Sequence, residues 1–221
     1  MKRKPTTKTA MPPEWMTTAN EFIDVHAELR DYSQVVELLR TIEEEDSLKK
    51  YFNGHNSGAR WFFQVYSREF VEELANVING ILHSSGQVGP VVEVMSGDGR
   101  LRDFLVPIIN RELIATDART GRYNIAYPKE VVKIDALTAI DTYNPSVVFC
   151  SWEPFLSMTG IEIVNRGVPF IWIGDPETCG HPDILDLNPI RADNRFAIGK
   201  HDSLSQRDFR TEILVFNCSP S

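Results

Sequence analysis

Cysteine is scarce in this chain: Cys150, Cys179 and Cys218 are three among 221 residues, too few and too far apart to frame a disulfide scaffold. No Cys-x-x-Cys and no His-x-x-x-His pair occurs, so the spacing that would mark a metal site is missing. Reduced thiols in a cell interior are the expectation. Long apolar runs are missing too. The longest are short stretches such as residues 168–173 around Pro169, far below the roughly 20 residues that cross a bilayer, so no membrane association is expected. The first ten residues, MKRKPTTKTA, are basic, but Pro12, Pro13 and Glu14 follow where a secretory signal would place its apolar segment. A cytoplasmic protein is expected. Positive charge is also in deficit: 23 Lys and Arg against 31 Asp and Glu give a net charge of -8, which argues against extensive nonspecific nucleic-acid binding. Lys2, Arg3, Lys4 and Lys8 form a local basic cluster that reads as a solvated end.

What is present divides the chain in three. Residues 1–18, rich in Lys, Thr and Pro, read as a disordered basic tail. Residues 19–60 read as a helical extension or lid, with Phe22, Val25, Leu29, Val35, Leu38, Leu39 and Ile42 at helical spacing. Two helices broken near 31–33 and a turn-rich loop over 51–60 are predicted. A helix carrying Phe70, Leu74, Val77, Ile78 and Ile81 on one stripe then leads into the first strand. From Val91 the pattern changes to short β-branched runs, VVEVM, ELIAT, VVKI, SVVFCS and VPFIWIG, separated by connectors of helix length. This is the signature of a mostly parallel sheet in an α/β domain over 61–221. Helical connectors are clearest at 101–109 and 158–166, and 118–130 reads as loop. RFAIGK and RTEILVFNC are two further strand-like runs joined by a polar segment, and predict a C-terminal antiparallel hairpin on the parallel sheet.

In an open α/β sheet, ligands bind beyond the carboxyl ends of the strands. The first strand ends in Glu93, Met95, Gly97, Asp98 and Gly99, the second in Asp117, the third in Asp135 and Ala136, and the fourth in Cys150, Ser151 and Trp152. Each alone has a structural explanation: a glycine turn, a helix cap at Asp135, a core aromatic. Their order raises their meaning, because a glycine turn at a helix start can approach a ligand closely. A carboxylate about 20 residues later can hold both ribose hydroxyls.

This succession resembles the seven-stranded (class I) S-adenosylmethionine-dependent methyltransferase superfamily. VVEVMSGDGRL is similar to its first motif, ATD to its ribose-binding acidic end, KIDAL to its adenine-side Asp-Ala, and VVFCSWEPF occupies the place of its fourth motif. Ser-Trp-x-Pro at 151–154, followed by Gly-x-x-x-x-Cys-Gly at 174–180, also resembles methyltransferase-like proteins of plants and fungi. The resemblance covers 91–217. It implies a Rossmann-like seven-stranded sheet and S-adenosyl-L-methionine as cofactor. Glu93 would approach the methionine amino group, Gly97 and Gly99 would pass beneath the cofactor, and Asp117 would hold the ribose. Asp135 and Ala136 would border the adenine, and Cys150, Ser151 and Trp152 would face the methionine end. Tyr66 or Arg68 would stand near the cofactor carboxylate. Two departures stand out. Met95 takes the place of a glycine, which predicts a crowded pocket floor, and the fourth motif is not Asp/Asn-Pro-Pro-Tyr, which disfavours an exocyclic base amine as acceptor.

Methyl transfer needs alignment and, for some acceptors, a base. Glu153, Asp175 and His181, at or just after the ends of the fourth and fifth strands, are the candidates. His181 and Asp175 also suit plain turns before proline. The methyl acceptor, whether small molecule, protein or RNA, is not written in the sequence. Two other readings stay open: a catalytically inactive methyltransferase fold kept as an interaction module, supported by Met95, and a NAD-dependent oxidoreductase. The last is disfavoured because Gly97-x-Gly99 is followed by Arg102 where its fingerprint has a third glycine.

Overall fold

The β-branched runs become strands whose alternate residues feed two separate cores. In the computed structural model, which describes residues 23–45, 48–54, 58, 60–121, 123 and 125–218, Val91, Leu113, Val147, Phe149, Ile171 and Ile173 face a cluster with Phe70, Leu74, Ile78, Leu101 and Leu105. Val92, Val148, Cys150, Phe170 and Trp172 face the other way, onto Ala139, Ile140, Ile161 and Ile163. The period of two along a strand thus builds a sheet covered by helices on both faces. The expected basic tail lies outside the described residues.

In chain order the strands are β1 (Gln64–Val65), β2 (Val91–Glu93), β3 (Leu113–Asp117), β4 (Val131–Lys133), β5 (Val147–Ser151), β6 (Phe170–Gly174), β7 (Ile190–Arg191), β8 (Ile198–Gly199) and β9 (Glu212–Phe216). The helices are α1 (Tyr32–Glu45), α2 (Leu48–Phe52), α3 (Arg68–Ser85), α4 (Arg100–Leu105), α5 (Ala136–Tyr143) and α6 (Thr159–Asn165). A seven-stranded sheet has the order β4-β3-β2-β5-β6-β9-β7. β2 pairs in parallel with both β3 and β5, and β5 with β6. The strand order therefore reverses between β2 and β5, which opens a crevice at their carboxyl ends. β9 runs antiparallel to both β6 and β7.

α3 is bounded as its sequence demands: Ser67 accepts a hydrogen bond from the Phe70 amide at its start, and Gly86 takes a left-handed conformation at its end. Three sequence expectations change. The segment around Phe22–Leu29 is not a helix over its described part. Residues 25–28 turn, because their backbone is engaged by side chains: the Tyr51 hydroxyl donates to Ile23 O and accepts from Val25 N, and Arg30 donates to Val25 O. The loop expected over 51–60 begins later, since Tyr51 and Phe52 close α2. The C-terminal hairpin has a different partner: β9 pairs with Ile190–Arg191, whereas Ile198–Gly199 of the RFAIGK run leaves the large sheet and pairs antiparallel with β1.

That second, two-stranded sheet ties the N-terminal helices down. Val35, Leu38, Leu39, Phe52, Phe62 and Val65 share one buried cluster with Ile198 and Leu204. This core runs across the boundary expected at 60–61, so the helical extension is built onto the sheet domain's own chain.

Candidate functional site

Residues two apart on a strand share a face, so Glu93, two beyond Val91, points to the α3 and α4 side of the sheet, and so does Ser151, two beyond Phe149. Register places Glu93 opposite Phe149. Glu93 and Ser151 therefore share one face of the sheet at the carboxyl ends of β2 and β5. Glu93 is only 2% exposed. Its Oε2 is buried and has no hydrogen-bond partner, and the Ser151 Oγ is buried beside the Tyr66 hydroxyl. Burial, and then the nearby Asp98 carboxylate, hold the Glu93 pKa well above the usual carboxylate range. Tyr66, stacked on His26 at 4.3 Å, closes this space from the start of α3. Its phenol is pushed upward by burial and by Glu93 and Asp98. The sequence offered Tyr66 or Arg68 for this place. Arg68 instead turns outward to Asp31 at 2.9 Å and to Leu29 O.

The turn after β2 is held by its neighbours. Met95 adopts φ 55°, the left-handed region where glycine is ordinarily at home, while its side chain packs on the α5 and α6 core. The expected crowding of the pocket floor is thus met by a side chain that lies on the core side, at the cost of backbone strain. The Asp117 carboxylate accepts from the Gly97 amide at 3.0 Å and from the Arg119 amide at 2.6 Å. A Cβ at Gly99 would stand 2.7 Å from Val131, so the chain passes tightly over β4 there. Asp98 accepts from Arg60 at 2.6 Å, and Arg60 also binds Asp24 at 2.7 Å. Arg100 donates to His26 O. These two arginines strap the segment before α1 across the glycine turn. Arg60 was missed in the sequence, since nothing in YFNGHNSGAR marks it off from an ordinary loop arginine.

Other candidates fall elsewhere. Asp135 caps α5, accepting from the Thr138 amide at 3.0 Å and its hydroxyl at 2.6 Å, and these bonds hold its pKa low. Ala136 is buried as the first residue of that helix. Cys150 is fully buried on the core side, its thiol pushed well up by burial and by Glu153. Its side chain does not face the Glu93–Ser151 crevice. Glu153 is 2% exposed and accepts from the Gly160 amide at 2.8 Å and from the Trp172 indole at 3.1 Å. A Cβ at Gly160 or at Gly180 would stand 2.5 or 2.8 Å from its Oε2, so this carboxylate fills a slot made by two glycines. His181 caps the short 3-10 helix Pro182–Leu187, accepting from the Asp183 amide. It is not brought to Asp175.

The group that does meet Asp175 is His201. Its Nδ1 lies 2.8 Å from Thr178 Oγ1 and 3.4 Å from Asp175 Oδ2, and Asp175 is 1% exposed. The His201 ring stands edge-on to Trp152 at 5.4 Å. Trp152 has φ 66° and donates its indole N–H to Gln64 at 3.0 Å, which swings its ring from the end of β5 toward β1 and β8. An imidazole fixed through one nitrogen beside a buried carboxylate can exchange a proton through the other. Among the described residues no cluster of His, Cys, Asp and Glu is suited to a metal ion, and no helix is long and apolar enough to cross a membrane.

No protein-family model matches the chain, and comparison with curated proteins gives no match.

Proposed function

We propose that the chain binds S-adenosyl-L-methionine in a Rossmann-like crevice between β2 and β5 and transfers its methyl group to an acceptor. The observation that carries this reading is Glu93 Oε2, a buried acceptor without a hydrogen-bond partner at the reversal of strand order, with the buried Ser151 hydroxyl on the same face. Buried polar atoms are ordinarily satisfied, and an acidic acceptor beside a hydroxyl suits the ammonium of an amino-acid ligand. The sheet order, with antiparallel β9 set between β6 and β7, supports the same reading. So does Asp117 at the end of β3, where a ribose would lie. The cofactor supplies the electrophilic methyl group. In this chain Glu93 binds the ammonium, Asp117 orients the ribose, and Tyr66 excludes water. His201, aligned by Asp175 and Thr178, takes the acceptor's proton.

A second reading has one observation in its favour. The Asp117 oxygens already bind the Gly97 and Arg119 amides, as suits a fold kept for interaction with its site closed.

Thermal unfolding separates the two. At about 100 times its Kd, a ligand adds about 2.7 kcal/mol of stability, which is roughly 5–10 °C in Tm for a chain of this size. S-adenosylmethionine and S-adenosylhomocysteine should both give such a shift and NAD none. No shift with either adenosyl ligand would favour the closed fold.

A further inference from the structure

The loop that follows β5 turns its apolar side chains to solvent. Across 154–158, Phe155 is 62%, Leu156 57% and Met158 44% exposed. We propose that this loop is a docking surface for a basic, apolar peptide segment of a partner protein; the proposal stands whether or not the crevice takes a cofactor. Single exposed hydrophobic residues are ordinary on a protein surface. Three within four positions, rimmed by polar groups, are the mark of a protein contact, and Phe and Met are among the residues enriched at the centres of such contacts.

The loop is held in this shape by its own bonds. The Leu156 amide donates to Gly180 O at 2.8 Å, the Ser157 amide to Pro154 O at 3.0 Å, and the Ser157 hydroxyl lies 3.0 Å from Thr159 Oγ1. Glu153, in its slot between Gly160 and Gly180, anchors the start of the loop. Leu156 has φ 61°, a conformation that is strained for a bulky side chain, and strain of this kind collects at ligand clamps and switch regions. The rim sets the charge of the partner. The Glu162 amide donates to Met158 O one helical turn on, and the Glu162 side chain is exposed. Gly180 leads into the 3-10 helix, where Ile184 lies against Gly160 and Asp183 and Asp186 are exposed. The only Lys or Arg in 151–189 is Arg166, just past the far end of α6 and bound to Asp141. An apolar loop with an acidic rim is complementary to a basic, apolar segment. The same acids repel an anionic lipid surface, and they repel a second copy of this chain, which carries the same rim and a net charge of -8.

Fluorescence anisotropy of a labelled amphipathic peptide of Leu and Lys at helical spacing, titrated with the full chain, tests this. Its affinity should be micromolar and about tenfold or more above that of the matching Leu and Glu peptide. Phe155→Ser/Met158→Ser removes only exposed groups, so it should keep the wild-type Tm while weakening the Leu and Lys peptide about tenfold or more, as loss of an anchor does. Glu162→Lys/Asp186→Lys should weaken it too and flatten its dependence on salt. If the Leu and Lys peptide does not bind at about 100 μM, if the folded serine variant binds it as tightly as wild type does, or if the Leu and Glu peptide binds equally well, the inference falls. It falls also if phosphatidylglycerol vesicles bind the chain through Phe155 and Met158, since the surface is then a lipid contact, or if sedimentation shows a dimer that the serine variant breaks, since the face then belongs to a second copy.

Discussion

Replacing Glu153 by alanine should destabilise the protein. The carboxylate is the acceptor for two buried donors, the Gly160 amide and the Trp172 indole N–H, and Trp172 is itself fully buried. Each donor left without a partner costs about 1–3 kcal/mol. Removing a carboxyl whose pKa is raised, chiefly by burial, gives back part of its own desolvation cost, so a net loss of about 2–4 kcal/mol is expected. With a urea m-value of about 2–3 kcal/mol/M, the unfolding midpoint should fall by roughly 1 M. Glu153→Gln should lie between alanine and wild type, because its amide keeps one acceptor but turns an NH₂ toward one of the two donors. Urea unfolding followed by tryptophan fluorescence measures both. A catalytic base would behave otherwise: the glutamine variant would unfold as wild type does and lose only activity. An unchanged midpoint and slope for Glu153→Ala would refute the structural role assigned here.

Four further outcomes follow from the site. Glu93 has a raised pKa in the free protein and must be ionised to hold an ammonium, so S-adenosylhomocysteine should bind more tightly as pH rises through that pKa, with proton release below it; Glu93→Gln should weaken binding at least tenfold and flatten the profile, and a pH-independent wild-type affinity would count against the contact. His26 is buried, accepts from the Tyr66 amide at 3.3 Å, and has its pKa held well down by burial and by Arg60. Its contribution to stability is therefore complete above the unfolded pKa of about 6.5 and is lost as pH falls below it; denaturant midpoints across pH should show this loss, and His26→Gln should lack it. Asp117→Ala should cost at least tenfold in S-adenosylhomocysteine affinity by calorimetry, and an unchanged affinity in a folded variant would remove the ribose assignment. Met95→Gly relieves a positive φ worth about 1 kcal/mol but gives up side-chain packing, so binding should be kept or improved, and a large loss of affinity in a folded variant would make Met95 itself a contact.

How far the sequence carries can be seen residue by residue. β2, β3, β4, β5 and β6 were legible because a parallel strand covered on both faces writes itself as a β-branched run. α3 was legible because its stripe, its Ser67 cap and its Gly86 end agree. β9's partner was not, since Ile190–Arg191 is two exposed residues with little pattern, while the more strand-like run around Ile198 is drawn off by the core under the N-terminal helices. In the site, Glu93 and Ser151 could be read from strand ends because pleat and register place them. Asp135 and Glu153 could not be told from ligand groups, as a carboxylate at a strand end looks the same whether it meets a ligand, a helix start or a buried indole. His201 was hidden for a different reason. It lies 26 positions beyond Asp175, and only the folding of β8 against β1 brings it beside Trp152.

The most direct test is calorimetric titration of the purified full chain with S-adenosylhomocysteine, with NAD as the comparison. One site of micromolar affinity for the adenosyl ligand, and no heat with NAD, is the predicted result. Heat with NAD alone, or with neither, would contradict a cofactor crevice built on Glu93, Asp117 and Ser151.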